Sequence, residues 1–103
     1  MVLVLIEWDE GNWPKCGKHG SSKAEIESFF ASDPGVRPDP HPHEPRFRAI
    51  GPLVSGRFLF VVFTLRERGG LTYIRPLSAR YMHRKEVQRY EEDSIEADAV
   101  IRH

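Results

Sequence analysis

Three consecutive runs decide the fold: RFLFVVFTLR at residues 57–66, ERGG at 67–70 and LTYIRPLSA at 71–79. The first is almost unbroken in its apolar character, the pattern of a central β-strand covered on both faces. The glycines at 69 and 70 permit a tight hairpin turn, so the third run returns antiparallel to the first. Pro76 lacks an N–H for a sheet ladder, which places its strand at an edge or requires a bulge there.

Outward from this ribbon, RFRAI at 46–50 alternates like a strand, and GPLVSG at 51–56 reads as the turn joining it to the central strand. Upstream, Ser22 and Glu25 have the spacing of a capping box. Ile26, Phe29 and Phe30 then form one apolar stripe, predicting an amphipathic helix over 23–32 that DPG at 33–35 stops. Residues 34–45, PGVRPDPHPHEP, carry five prolines, a density that argues against helix or ladder-bonded strand and predicts an extended loop. MVLVLIEW at 1–8 has a short apolar run with no basic residue before it and acidic residues after it, so it reads as a strand rather than a signal peptide. From His83 the pattern turns helical, with Val87, Tyr90, Ala97 and Ile101 recurring on one side and an acidic helical extension at 93–103. The expected fold is α+β: one domain over 1–103, a small antiparallel sheet with flanking helices.

A formal net charge of zero conceals strong segregation. Residues 1–45 hold four basic and eight acidic side chains, residues 46–89 ten and two, and residues 90–103 one and five, giving net charges of −4, +8 and −4. Nine of the ten central cations are arginines, whose planar fork suits phosphate. A single cysteine, Cys16, cannot form an internal disulfide, which fits a reducing cytoplasm. No stretch approaches the ~20 apolar residues of a membrane span, so no membrane partner is expected.

Three groups carry chemical content. In GKHG at 17–20, Lys18 could hold a phosphate beside His19, a side chain type suited to proton transfer near neutrality; a Lys-His pair ending a helical turn is the plain structural alternative. Arg57, Arg66, Arg75 and Arg80 occupy the ribbon, with Arg66 near the hairpin turn and Arg57 and Arg80 at the far end. His41 and His43 could share a metal, but no further ligands with suitable spacing accompany them, so no metal or cofactor is expected. Cys16 and His19, three residues apart, form a further candidate, a nucleophile with its base.

Several pieces, in order, resemble the BrnT family of bacterial toxins: Trp8-Asp9, Lys18 to Gly20, Phe30 with Asp33-Pro34, Arg46, Gly56-Arg57, Thr64 with Arg66, Ser78 to Arg80, and Arg84 to Glu86 with Tyr90. The resemblance implies a RelE/ParE-like fold and an RNA-cleaving growth inhibitor of a type II toxin-antitoxin system. It implies a BrnA-like ribbon-helix-helix antitoxin as partner, with operator DNA met only through that antitoxin. With it, the expected activity is metal-independent RNA cleavage: His19 as acid or base, Lys18, Arg66 and Arg80 around the phosphate, and Arg46, Arg57, Arg75 and Arg84 on the RNA backbone. Alternative readings are a module that binds nucleic acid or ribosomes without cutting, a ParE-like topoisomerase inhibitor, and a metal-binding regulator using His41 and His43.

Overall fold

The computed structural model describes residues 4–101, with side chains described for residues 4–93. Helix α1 (Lys23–Ala31) is followed by strands β1 (Gly35–Asp39), β2 (Arg46–Pro52), β3 (Phe58–Arg68) and β4 (Leu71–Tyr81), then helix α2 (Arg84–Ile101). The strands form one antiparallel sheet in the order β1-β2-β3-β4, so each neighbours its successor in sequence. This is the expected α+β arrangement.

The hairpin turns at Gly69 and Gly70, both with positive φ (58° and 79°), a conformation glycine adopts without steric cost. Pro76 proves to be both at an edge and at a bulge. Val62 faces Ser78 while Phe63 faces Pro76, so Leu77 is the extra residue that absorbs the missing ladder bond.

Residues 35–39 correct the loop expected over 34–45. They form strand β1, with Pro38 opposite Phe47. The physical reason lies in parity. In an edge strand of an antiparallel pair, alternate residues point their N–H groups away from the partner, and Pro38 in such a position costs no ladder bond. Residues 40–45 do remain without strand or helix.

The N-terminal strand also shrinks. Among the described residues it makes only a parallel bridge, Ile6 to Ile74, with the Glu7 amide donating to the Ile74 carbonyl (2.8 Å) and the Ile74 amide to the Leu5 carbonyl (2.8 Å). Residues 1–3 of that expected strand lie outside the described residues, as do residues 102 and 103 of the acidic extension and its side chains from 94 onward. Among the described residues no helix is long and apolar enough to cross a membrane.

One face of the sheet carries the core. Ala49, Leu59, Val61, Phe63 and Ala79 are buried there against Ile26, Phe29 and Phe30 of α1 and Cys16. Phe63 is stacked with Phe47 (5.6 Å between centroids) and meets Phe30 edge-on (5.3 Å). Such aromatic pairs add to the burial term that holds α1 to the sheet. The central strand is not covered equally on both sides: Leu59, Val61 and Phe63 are buried, whereas Phe58, Phe60 and Val62 are only half-buried. α2 covers part of this second face, Tyr90 meeting Phe58 at 6.1 Å.

Candidate functional site

The segment before α1 is built onto β4 by two polar anchors. Asn12 is fully buried; its amide donates to the carbonyls of Glu7 and Pro76 (2.9 Å each) and its oxygen accepts from the Asp9 amide (2.8 Å). Arg75 pairs with Glu7 (2.9 Å) and with both oxygens of Asp9 (2.7 and 3.0 Å), while Arg68 also pairs with Glu7. Bonding by Arg75, then by the Gly11 amide, holds the Asp9 carboxyl down at about 2. These anchors fix the course of residues 5–17 and so deliver the Lys18-His19-Gly20 turn to the rim of the sheet.

At that rim Gly20, with φ of 104°, sits against the ring of Tyr81; a Cβ there would be 3.6 Å from Cε2. Arg57 lies over the same ring, its guanidinium carbon 3.5 Å from the centroid. The Tyr81 hydroxyl donates to Glu25 Oε1, a bond that raises the phenol's pKa and keeps it protonated at neutral pH. Lys18, His19 and Arg57 are exposed. The rim therefore brings together a phenol held by a carboxylate, the Arg57 guanidinium on its ring and the backbone of the turn that carries Lys18 and His19, with Ser21 buried at the start of that connection to α1.

Half of the expected capping box is present. Ser22 Oγ accepts from the Glu25 amide (3.1 Å), but the Glu25 carboxylate that would complete the box is directed to Tyr81.

The other arginines lie elsewhere. Strand alternation puts Arg46, Arg48, Phe60, Arg66 and Arg80 on the face opposite the core. Arg80 packs over Phe60 at 4.6 Å and is held by both oxygens of Glu86 (2.9 Å each), which also accepts from the His83 amide (3.0 Å). Bonding by Arg80 and then by His83 holds the Glu86 carboxyl at about 2. Arg46 pairs with Glu44 (2.9 Å). Arg66 stands opposite Tyr73, six residues along β3 from the Phe60–Arg80 pair, a separation of about 20 Å. Arg84 is exposed at the start of α2.

Of the four residues expected around the phosphate, Lys18 and His19 are exposed on the turn that Gly20 sets against Tyr81. Arg80 projects from the opposite face, and Arg66 stands near the hairpin turn. Arg57, expected on the RNA backbone, joins the rim instead, and Arg75 is committed to Glu7 and Asp9. The sequence offers Glu25 only as a capping residue and gives Tyr81 no role, because only tertiary structure brings position 25 to position 81. Cys16 is fully buried and its thiol is pushed up to about 11 by desolvation, so it stays protonated and unavailable as a nucleophile. The rings of His41 and His43 are 5.8 Å apart and edge-on, and His41 Nδ1 accepts from the amides of His43 (3.2 Å) and Glu44 (3.3 Å). Among the described residues no three His, Cys, Asp or Glu side chains converge on a metal position.

A sequence model described as "Ribonuclease toxin, BrnT, of type II toxin-antitoxin system" matches residues 8–86, well over half of the chain. The chain belongs to the BrnT family. No curated protein shows a significant match. The matched region begins at Trp8, whose indole donates to Glu27 of α1 (2.9 Å), and ends at Glu86, the partner of Arg80. It thus takes in both the rim and the arginine-bearing face. As a BrnT toxin the chain is a ribonuclease that works in a pair with an antitoxin. Ribonuclease membership favours cutting over the topoisomerase-inhibitor and non-cutting alternatives.

Proposed function

We propose that this BrnT toxin is a metal-independent endoribonuclease that grips RNA on the arginine-bearing face of the sheet and cuts it at the rim. The observation carrying this reading is the Tyr81 cluster: Arg57 on its ring, Glu25 on its hydroxyl, and the His19-Gly20 turn against its edge. Attack of a ribose 2′-hydroxyl on the adjacent phosphate needs one group to take a proton and another to give one, with cations for the developing charge. His19 and the Glu25-held Tyr81 supply the proton-transfer groups; Arg57 and Lys18 supply the charge. Arg46, Arg66, Arg80 and Arg84 bind the RNA backbone, and Arg75 serves structure. Cleavage in the cytoplasm would block translation and growth until a BrnA-like ribbon-helix-helix antitoxin binds, and operator DNA would be met through that antitoxin.

The test is cleavage of RNA by the purified toxin in EDTA. Wild type should cut and leave 2′,3′-cyclic phosphate ends, and His19→Ala should lose about 10²-fold or more. Full activity of a folded His19→Ala protein, or an absolute metal requirement, would sink the reading. A second reading is favoured by Arg80, locked between Phe60 and Glu86 on the other face. If Arg80→Ala and Glu86→Gln abolish cutting while His19→Ala and Tyr81→Phe do not, the chemistry takes place there.

A further inference from the structure

Arg37 of β1 and Arg48 of β2 are direct cross-strand partners. Like charges placed directly opposite each other in a sheet repel, and without compensation the arrangement is unfavourable. Compensation among the described residues is partial. Arg48 Nη2 lies 3.3 Å from Asp39 Oδ1, but its Nε is buried with no hydrogen-bond partner among the described residues, and Arg37 is exposed.

The two guanidinium-bearing side chains line a cleft of ≈ 160 Å³ with Gly35, Val36, Ile50 and Tyr90. That volume is well below what encloses a free drug-sized ligand, and it suits one residue of a polymer that continues beyond it. Tyr90 is fixed by Phe58 and by β1, where a Cβ on Gly35 would stand only 3.1 Å from its hydroxyl. Glycine at 35 thus allows the strand to approach the phenol. The cleft is also in line with Arg80, the chain neighbour of Tyr81 at the rim: Gly35 pairs with Ile50, Ile50 with Phe60 and Phe60 with Arg80. This row crosses three strand spacings, about 14 Å.

We propose that the cleft is a second RNA subsite, in which Arg37 and Arg48 hold a backbone phosphate and Tyr90 packs on the attached nucleoside, a few nucleotides from the cut. It rests on the reading of the chain as a nuclease that grips single-stranded RNA. A phosphate satisfies two facing guanidinium groups through several oxygens, and an aromatic ring beside it matches the stacking by which unpaired bases are held. An acidic peptide would meet the charge and leave the ring unused.

The experiment compares two substrates, a fluorescent single-stranded RNA decamer and a dinucleoside phosphate too short to reach from the cut to the cleft. Relative to wild type, the Arg37→Ala/Arg48→Ala double variant should bind the decamer at least tenfold more weakly. Its plot of log affinity against log salt should be shallower by about 0.7, the loss of one phosphate contact on a single strand. Cleavage of the dinucleoside phosphate should not change. Arg37→Lys/Arg48→Lys, which keeps the charge, should recover part of the affinity, and Tyr90→Leu should weaken decamer binding without changing the salt slope. Unchanged decamer affinity and slope in a double variant that melts like wild type would overturn the subsite. So would loss of binding to an acidic peptide with decamer binding intact. Failure of wild type to cut either substrate would instead count against the nuclease reading, while decamer affinity would still report on the cleft.

Discussion

Tyr81, at the end of β4, donates its hydroxyl to Glu25 in the first turn of α1, joining two positions 56 residues apart. The bond links helix to sheet and also sets the protonation of the phenol. Held by a carboxylate, Tyr81 remains a hydrogen-bond donor across the physiological range. Tyr81→Phe removes only the hydroxyl and keeps the ring on which Arg57 rests. If the phenol acts in the reaction, kcat should fall about 10- to 100-fold with KM little altered, a smaller loss than for His19→Ala. Single-turnover cleavage with a thermal melt as control would measure both.

Acid should loosen the attachment of the N-terminal segment and of α2. Asp9 falls from 3.8 to about 2 through Arg75 and Gly11, and Glu86 falls from 4.5 to about 2 through Arg80 and His83. Carboxyls whose folded pKa is depressed stabilise the fold above their unfolded pKa, and that contribution disappears as pH falls through the folded one. The melting temperature should therefore hold steady from pH 7 to about 5 and drop between about pH 4.5 and 2. In Asp9→Asn the drop should be smaller, because part of the titrating contribution is already gone. A series of melts across this range checks the sign.

How far the sequence revealed this depends on the range of each interaction. Gly69, Gly70 and the flanking apolar runs encode the β3–β4 hairpin locally, and Pro76 announces its own bulge. The capping residue Ser22 is equally local. Strand β1 was hidden because a count of prolines ignores which side of an edge strand each one faces. Lys18 and His19 could be recognised as a pair, whereas Tyr81, Glu25 and the opposition of Arg37 to Arg48 depend on register and helix docking. Even the two arginines expected to act together, Arg66 and Arg80, are separated by the strand geometry already implicit in the hairpin.

Cys16 offers a clean negative test. Its side chain is enclosed in the core and its thiol is pushed up to about 11. Native protein should resist thiol reagents at pH 8 and react fully once unfolded. Cys16→Ala should cost stability in the ordinary range for a small core truncation, about 1 kcal/mol, and leave RNA cleavage at the wild-type rate. Loss of cleavage in a folded Cys16→Ala protein would return the thiol to the mechanism.

Asn12 should matter more than its polar character suggests. Its side chain makes three hydrogen bonds inside the protein, and the two it donates, to the Glu7 and Pro76 carbonyls, tie the N-terminal segment to β4. Asn12→Ala leaves both carbonyls without this partner, a loss of about 2–6 kcal/mol when each unsatisfied group costs ~1–3. Asn12→Asp keeps the acceptor for the Asp9 amide but faces both carbonyls with oxygen, so it should be at least as damaging. Denaturant melts of the two variants would rank them.

Salt dependence separates arginines that hold RNA from those that hold the protein. Arg66 is exposed on the open face, whereas Arg75 is nearly enclosed by Glu7 and Asp9. Arg66→Ala should weaken binding of single-stranded RNA and reduce the magnitude of the salt slope by about 0.7, with little change in melting temperature. Arg75→Ala should do the reverse: the slope stays as in wild type while stability falls, because Glu7 and Asp9 lose the cation around which they are arranged. If both substitutions lower the slope equally, the carboxylates around Arg75 give way to RNA, and the N-terminal segment becomes part of the binding face.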